Sequence, residues 1–478
     1  MSTTPKAYQE SNHPNSATET VAEFVVGATI SASTLKNATS AVLDTIAVTI
    51  GGSIEPSVVR LTNLFEPVVG RAAAPLLWSA TILGRADAAL VMGTASHVLD
   101  YDDVSMLSVC HPSAPVLSAL LCARNWDGVS GRSLLEAFVV GTEVTVRLGQ
   151  SMGFRHYQLG FHATATLGTV GAAAATARLL GFDRDQTRHA LSIAASMASG
   201  LQANFGTMMK SVHVGLAASN GVKAAQLAAG GIEGAREVFS GCGFVRAFSG
   251  GDTTEWPDAS RSGGTLAIDK PGFEQKRYPC CYMLHRMAEA ALMLRRQHGI
   301  VLDDVVSIRV DMPFGGTKPL IHPRPRTGLN ALFSAPYTVL ACLSDGRLDL
   351  ESFTDVEVQR DKIQSRIDEV EVVERTLAVP PEAIGDAPVT VRLTLRDGSA
   401  REHTITVSPG SREDPMSSEQ LRDKWVDCLR RASPSFGDAP FDRYFEDGRR
   451  LPEMANVGQW LMSIRSIFTS SRERSPSQ

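Results

Sequence analysis

The chain has 478 residues, of which 43% are hydrophobic and 20% charged, and its formal net charge at pH 7 is −5. This length allows about two domains with large cores, and the absence of a basic run or aromatic-laced basic patch argues against nucleic-acid binding. The seven cysteines lack paired spacing, which is typical of a reducing compartment. Residues 1–20 contain no secretory or mitochondrial signal, so we expect a cytoplasmic protein that is not associated with a membrane.

Helical periodicity dominates the sequence up to about residue 265, where we find no convincing strand. One helix, predicted over 163–180, contains almost only Ala, Thr, Gly, Val and Leu, with Arg178 as its only charge. Such a helix is buried on every face. The other apolar repeats at helical spacing lie at 17–31, 34–52, 85–100, after Pro115 up to Arg124, and at 133–152, 183–200 and 210–230.

The pattern changes after residue 265. Alternating residues predict strands at 305–312, 369–373, 389–395 and 403–407. Further helices are predicted at 282–298, 330–343, 417–431 and 454–468. We therefore predict a mainly α protein in which a large all-helical domain is joined to a smaller α+β domain. The predicted divisions are a disordered tail at 1–16, the helical domain at 17–268, the α+β domain at 269–411, helices returning to the helical domain at 412–468, and a disordered tail at 469–478.

Four basic or titratable side chains stand at the amino ends of predicted helices, namely those of His111, His162, Lys210 and His285. A cation at such an end is disfavoured by about 0.3–1 kcal/mol because the helix dipole is positive there. Their repetition suggests that these groups and helix ends together face a negatively charged ligand. Asp100, near a helix carboxyl end, is expected to have a raised pKa or a cationic partner, which suits acid–base chemistry.

Simpler interpretations apply to other polar residues. We interpret His97 as structural and His156 as a surface or loop residue. Asp102 and Asp103 are interpreted as solvated loop charges or helix caps. Asp44 is a lone charge among apolar neighbours, for which a capping or interhelical hydrogen bond is the expected role.

Motifs of other chemistries are missing from the sequence. There is no His-Glu-x-x-His, Cys-x-x-Cys, P-loop or Gly-x-Ser-x-Gly. A metal site built from His97, Asp100 and His111 is a minor alternative. The sequence favours proton chemistry without a cofactor or metal.

Five ordered motifs resemble those of the MmgE/PrpD family, and the likeness spans roughly residues 20–465. The motifs are His97-Val-Leu-Asp100-Tyr-Asp-Asp103, His111-Pro-Ser113, Gly160-Phe-His162-Ala-Thr164, Gly206-Thr-Met-Met-Lys210-Ser-Val-His213 and Lys276-Arg-Tyr-Pro279-Cys-Cys-Tyr-Met-Leu-His285. The resemblance implies an all-helical large domain, an α+β lid domain, a homodimer and no metal requirement. That family includes 2-methylcitrate dehydratase, cis-aconitate decarboxylase and iminodisuccinate epimerase, whose substrates are small polycarboxylates.

The resemblance also implies that the active-site residues are Asp100, His111, His162, Lys210 and His285, with Lys276 as a carboxylate contact. His111, tuned by Asp100, is expected to be the principal general acid/base, and His285 a second proton carrier or carboxylate ligand. Carboxylate binding is expected of Lys210, His162 and Lys276.

Two departures bear on the reaction. Val104 stands where the decarboxylase branch commonly has threonine, and Thr317-Lys-Pro-Leu-Ile321 lacks an expected tyrosine. We therefore expect first a dehydratase of the 2-methylcitrate or alkylcitrate type. The alternatives are a cis-aconitate decarboxylase that forms itaconate, an iminodisuccinate-type epimerase, and an inactive dimeric homologue that only binds.

Overall fold

The computed structural model describes residues 16–70, 72–251, 265–375, 384–385 and 387–470. The two predicted tails lie outside these residues, apart from Ser16, Thr469 and Ser470. Among the described residues no single helix could span a membrane, although the bent pair Ala32–Ile54 and Pro56–Leu64 meets that test by length and composition.

Helices make up most of the chain before residue 252. They are α1 (Ala17–Gly27), α2 (Ala32–Gly51), α3 (Pro56–Leu64), α4 (Arg85–His97), α5 (Ser113–Ala123), α6 (Gly131–Met152), α7 (Arg155–Gln158), α8 (Ala163–Leu180), α9 (Arg184–Met197), α10 (Met209–Ala229) and α11 (Phe244–Ser249). Helix α8 is central, since it packs against α5, α6, α9 and α10. Every residue from Ala163 to Ala177 is buried, which confirms the predicted burial of this helix.

The prediction of no strand before residue 265 is wrong. The strands β1 (Ala73–Pro75) and β2 (Ile82–Gly84) form a small antiparallel hairpin, with Ala73 opposite Gly84. Each has only three residues, too few to show the alternation by which a strand is recognised in a sequence.

A mixed sheet with its own helices follows. Its elements are α12 (Tyr282–His298), β3 (Val305–Pro313), α13 (Gly328–Ala331), α14 (Ala335–Asp345), α15 (Asp355–Val358), α16 (Asp361–Gln364), β4 (Val370–Arg375), β5 (Val389–Leu395) and β6 (Ala400–Ile405). The strand order is β4-β3-β5-β6, in which β3 and β4 run parallel and the other neighbours antiparallel. Helix α12 contacts β5 and β6 as well as α14.

One predicted helix, 330–343, is two helices in the structure. The chain breaks at Ser334, whose side chain accepts a hydrogen bond from the backbone N–H of Tyr337 and so caps α14. Pro336 lies in the first turn of α14, a position that proline favours and that starts a helix rather than continuing one.

The final helices are α17 (Ser418–Ala432), α18 (Asp438–Gly448) and α19 (Val457–Ser470). Helix α17 packs against α2, and Trp425 belongs to the same hydrophobic core as Leu43. A separate core fills the sheet-containing part, with Leu284, Val310 and Leu340 among its members. The protein is mainly α with a smaller α+β part, as predicted, whereas the exact domain divisions stay a prediction.

Candidate active site

The loop between α4 and α5 has a strained backbone at both ends. Asp100 has φ 48° and Val109 has φ 49°. This left-handed region disfavours residues other than glycine by about 1–2 kcal/mol, and a β-branched residue is a genuine outlier there. Strain of this kind persists where the surroundings enforce it and is frequent at functional sites.

Asp100 is paired with two lysines. Its Oδ1 lies 2.6 Å from Nζ of Lys210 and its Oδ2 lies 3.2 Å from Nζ of Lys276, which also donates a 2.7 Å hydrogen bond to the Asp100 carbonyl. Although burial works to raise the pKa of Asp100, the two ammonium groups hold it well below its usual range. The cationic partner expected for Asp100 is thus found, twice. Two ammonium groups and one carboxylate leave a local charge of +1.

The carboxylate that lies against His111 belongs to Asp102, while Asp100, which was expected to tune His111, interacts with that imidazole only through its charge. One oxygen of Asp102, Oδ2, lies 2.8 Å from Nδ1 of His97 and 3.3 Å from Nδ1 of His111. The two imidazole rings meet edge to face with their centroids 4.6 Å apart. His97, interpreted above as structural, and Asp102, interpreted as a loop charge or cap, therefore form one cluster with His111.

Burial sets the protonation of this cluster. It lowers the pKa of His97 to about 4, so the ring is neutral at pH 7. Burial would raise the pKa of Asp102, but His111 and His97 keep it well below its ordinary value. Asp102 is therefore an anion. An N–H group of either imidazole can donate a hydrogen bond to it.

Asp103 has a different role from its two neighbours. Its carboxyl group accepts hydrogen bonds from the backbone N–H and the hydroxyl of Ser113, at the start of α5. The cap interpretation therefore fits Asp103, although the side chain is buried rather than solvated. Burial raises the pKa of Asp103 to about 8.

His162 immediately precedes α8, and its Nδ1 lies 3.2 Å from Nδ1 of His213. Its ring centroid is 5.8 Å from that of His97 and 5.0 Å from that of Phe205. Burial, reinforced by the neighbouring basic groups, holds the pKa of His162 well below its ordinary value. His213 was not among the predicted site residues, but its position three residues after Lys210 places both on one face of α10.

Lys210 lies between two phenyl rings. Its Nζ is 5.7 Å from the ring centroid of Phe205 and 5.0 Å from that of Phe333. Phe205 also contacts His162, so it joins the lysine cluster to the imidazole cluster. Phe333 comes from the sheet-containing part of the chain, between α13 and α14. Both parts of the protein therefore contribute to the surroundings of this ammonium group.

His285 lies in the first turn of α12. Its Nε2 is 3.4 Å from the carbonyl oxygen of Cys280, and its ring packs against Tyr278 and Tyr282. Burial, with a further contribution from Lys276, lowers its pKa to about 3. Among the described residues His285 has no hydrogen bond or ring contact with the other predicted histidines or with Lys210.

A metal ion is the alternative use of these donors. His97, Asp102 and His111 can each offer one atom, and these atoms lie within 4.8 Å of one another. However, Oδ2 of Asp102 is already hydrogen-bonded to His97, and Asp100, the ligand considered from the sequence, is bonded to two ammonium groups. This donor set suits proton transfer better than metal binding.

Comparison with known proteins supports the family assignment. The MmgE/PrpD N-terminal domain matches residues 19–257, and the MmgE/PrpD C-terminal domain matches residues 278–436. The chain belongs to the MmgE/PrpD family. Its relatives include the cis-aconitate decarboxylase of Homo sapiens, which is 30% identical over 73% of this chain and 74% of the human protein. The cis-aconitate decarboxylase of Aspergillus terreus is 26% identical over 82% of this chain and 84% of the fungal protein.

These relatives also bear on the predicted reaction. A decarboxylase is a lyase, so they confirm the prediction that this MmgE/PrpD protein is a lyase. They favour cis-aconitate decarboxylation, ranked second from the sequence, over the dehydration that was ranked first.

Proposed function

We propose that this MmgE/PrpD protein is a cofactor-independent lyase that decarboxylates cis-aconitate or a closely related unsaturated tricarboxylate. The observation that carries the proposal is the arrangement of Lys210 and Lys276 around the single carboxylate of Asp100. The ring of Phe205 joins Lys210 to the His162 imidazole, and the His97 ring lies against those of His162 and His111. The decarboxylase relatives give this arrangement its substrate class.

The reaction needs a site that stabilises negative charge and then supplies a proton. In cis-aconitate one carboxylate is attached to the CH₂ group next to the double bond. Loss of carbon dioxide breaks the bond to that carboxylate, and its electron pair forms a new double bond. The electron pair of the original double bond moves to the carbon alpha to the terminal carboxylate, where one proton is added. The product is itaconate.

The residues divide this work between them. His111 supplies the proton to the carbon that has gained the electron pair, since it is the partly exposed imidazole of the Asp102 cluster. Lys210 binds the carboxylate next to that carbon and stabilises the developing charge. Asp100, itself bonded to Lys276, holds the Lys210 ammonium group in place. The neutral His162 donates a hydrogen bond to a second carboxylate.

The decisive experiment follows the products of ¹³C-labelled cis-aconitate by NMR in deuterated water. We expect one carbon dioxide and one itaconate per substrate, with a single deuterium in the CH₂ group next to the terminal carboxylate.

Unchanged cis-aconitate together with conversion of 2-methylcitrate to an alkene would establish the dehydratase instead. Epimerisation would appear as loss of optical activity of an iminodisuccinate-type substrate without a change of mass. If every polycarboxylate remained unlabelled and unconverted, the binding homologue would be the better description.

A homodimer and a cytoplasmic location stay predictions.

A further inference from the structure

The carboxylate of Asp102 has two imidazole neighbours and no other hydrogen-bond donor among the described residues. The His97 contact is a 2.8 Å hydrogen bond, whereas the His111 contact, 3.3 Å between Nδ1 and Oδ2, is an electrostatic contact that lacks hydrogen-bond geometry. Both involve Oδ2, whereas Oδ1 is buried without a partner. His97 is therefore the main restraint on the orientation of this carboxylate.

The same contacts bear on the tautomers of the two histidines. A carboxylate only accepts hydrogen bonds, so the neutral His97 carries its proton on Nδ1, and the closeness of Oδ2 favours the same tautomer for a neutral His111. This leaves Nε2 of each ring as the atom that can accept a proton. For His111, whose side chain is 16% exposed, Nε2 is then the position at which a proton is exchanged.

A histidine at position 97 lowers the stability of the protein if its role is purely structural. Its side chain is fully buried, and its Nε2 has no hydrogen-bond partner among the described residues. An unsatisfied buried polar atom is destabilising, and an apolar side chain of similar size would avoid it. A role in the site explains why an imidazole is present here.

We propose that His97 is a positioning residue for His111 and acts through their shared carboxylate, Asp102. Donation from His97 fixes the rotation of the carboxylate, and the fixed carboxylate in turn selects the Nδ1–H tautomer of His111 and orients its ring. Without His97, the Asp102 carboxylate is free to rotate and to exchange Oδ2 for the unpartnered Oδ1. The His111 ring then loses its edge contact with His97 and its preference for one tautomer. The proposal rests on the proposed function only in taking His111 as the acid/base group.

The first test reads the tautomer directly and needs no substrate. The protein is labelled with [¹⁵N]histidine, and the His111 signals are assigned by difference from His111→Gln. We expect the Nδ1–H form in the native protein, the Nε2–H form in Asp102→Asn, and a mixture in His97→Leu. His97→Gln retains a donor and should restore the Nδ1–H form. His189→Leu, on α9, is the matched control for loss of a histidine and should leave the His111 signals unchanged.

The second test is kinetic, on the substrate that the wild-type protein turns over. We expect kcat to fall about 10-fold in His97→Leu with KM within about threefold, and to recover at least half of that loss in His97→Gln, as for a general acid that is misplaced rather than removed. An unchanged tautomer in His97→Leu, or a kcat no better in His97→Gln than in His97→Leu, would overturn the positioning role. Failure of the proposed function is separate: full activity in His111→Gln would remove His111 as the acid/base group while leaving the NMR result intact.

Discussion

The Lys424 ammonium group lies 2.7 Å from the Asp44 carboxylate, and both side chains are fully buried. Lys424 also donates hydrogen bonds to the carbonyl oxygens of Tyr101 and Lys276, at 2.8 Å and 3.0 Å. Burial raises the pKa of Asp44, although Lys424 opposes that shift. A capping or interhelical hydrogen bond was the role expected for Asp44, and the structure shows an ion pair that joins α2 to α17. This pair fixes the backbone next to Asp100.

Removing only one member of this pair is expected to be severe. Lys424→Met leaves a buried carboxylate without its cation, which typically destabilises a protein by about 3–5 kcal/mol. The double variant Asp44→Leu/Lys424→Met removes both charges and should recover most of that stability, measured by urea denaturation. Its kcat/KM should nevertheless stay low, because the carbonyls of Tyr101 and Lys276 have lost their common donor. Wild-type stability in the single variant would contradict this account.

Loss of the Lys210 ammonium group should affect turnover far more than folding. In Lys210→Met the side chain still fills the space between Phe205 and Phe333, and Asp100 keeps Lys276 as its partner. We expect kcat to fall at least about 100-fold, the usual effect of removing one group that stabilises developing charge. Lys223→Met, at an exposed position of the same helix, is the control and should retain activity. Comparable activity in the two variants would exclude Lys210 from the site.

The crossing of α4 and α10 leaves no room for a larger residue at Gly215. A Cβ there would lie 2.2 Å from the carbonyl oxygen of Leu90 and 2.4 Å from Oγ1 of Thr94. Gly215→Ala should therefore destabilise the protein by about 1–3 kcal/mol, as overpacking does. It should also reduce kcat, because α4 carries His97 and α10 carries Lys210. Gly27→Ala, where a Cβ meets nothing within 4 Å, should be neutral or slightly stabilising in the same thermal denaturation experiment.

Buried neutral histidines should make the protein sensitive to mild acid. The pKa values of His97 and His156 are lowered by burial to about 4, and that of His285 to about 3. Below pH 6.5 these histidines bind protons in the unfolded chain but stay neutral in the folded protein. The free energy of unfolding therefore falls as the pH drops toward 4. Each histidine contributes about 3 kcal/mol of this loss. Asp103, with its pKa raised to about 8, acts in the opposite direction and offsets one of them.

His156 provides the test of this pH dependence, because its two nitrogens contact the Phe248 carbonyl and Thr166 rather than the acid–base groups. It was expected at the surface but is buried. In His156→Gln the difference in unfolding free energy between pH 7 and pH 4.5 should be smaller than in the wild type. Equal slopes in the two proteins would show that His156 is protonated in the folded state.

The sequence predicted the long elements because each has enough residues to show its period, as α8 and β5 do. It could not assign roles within Asp100, Asp102 and Asp103. Two left-handed residues turn this loop, so the three neighbouring carboxyl groups meet lysines, histidines and a helix end respectively. Spacing along a chain does not report such a change of direction.

Lys424 escaped prediction for a different reason. It lies 323 residues from Tyr101, whose carbonyl it binds, and it stands in an ordinary amphipathic helix. The signal was indirect: Asp44, an isolated carboxyl group in an apolar helix, needs a hydrogen-bonding or cationic partner somewhere in the fold. Sequence alone does not say which partner this is.

The attachment of α17 has a consequence for biosynthesis. A chain emerging from the ribosome contains all the candidate acid–base residues once His285 has been synthesised. It still lacks Lys424, which donates hydrogen bonds to the carbonyl oxygens of Tyr101 and Lys276. Nascent chains that stop short of α17 are therefore expected to lack these contacts, and enzymatic competence is acquired only after α17 has been synthesised.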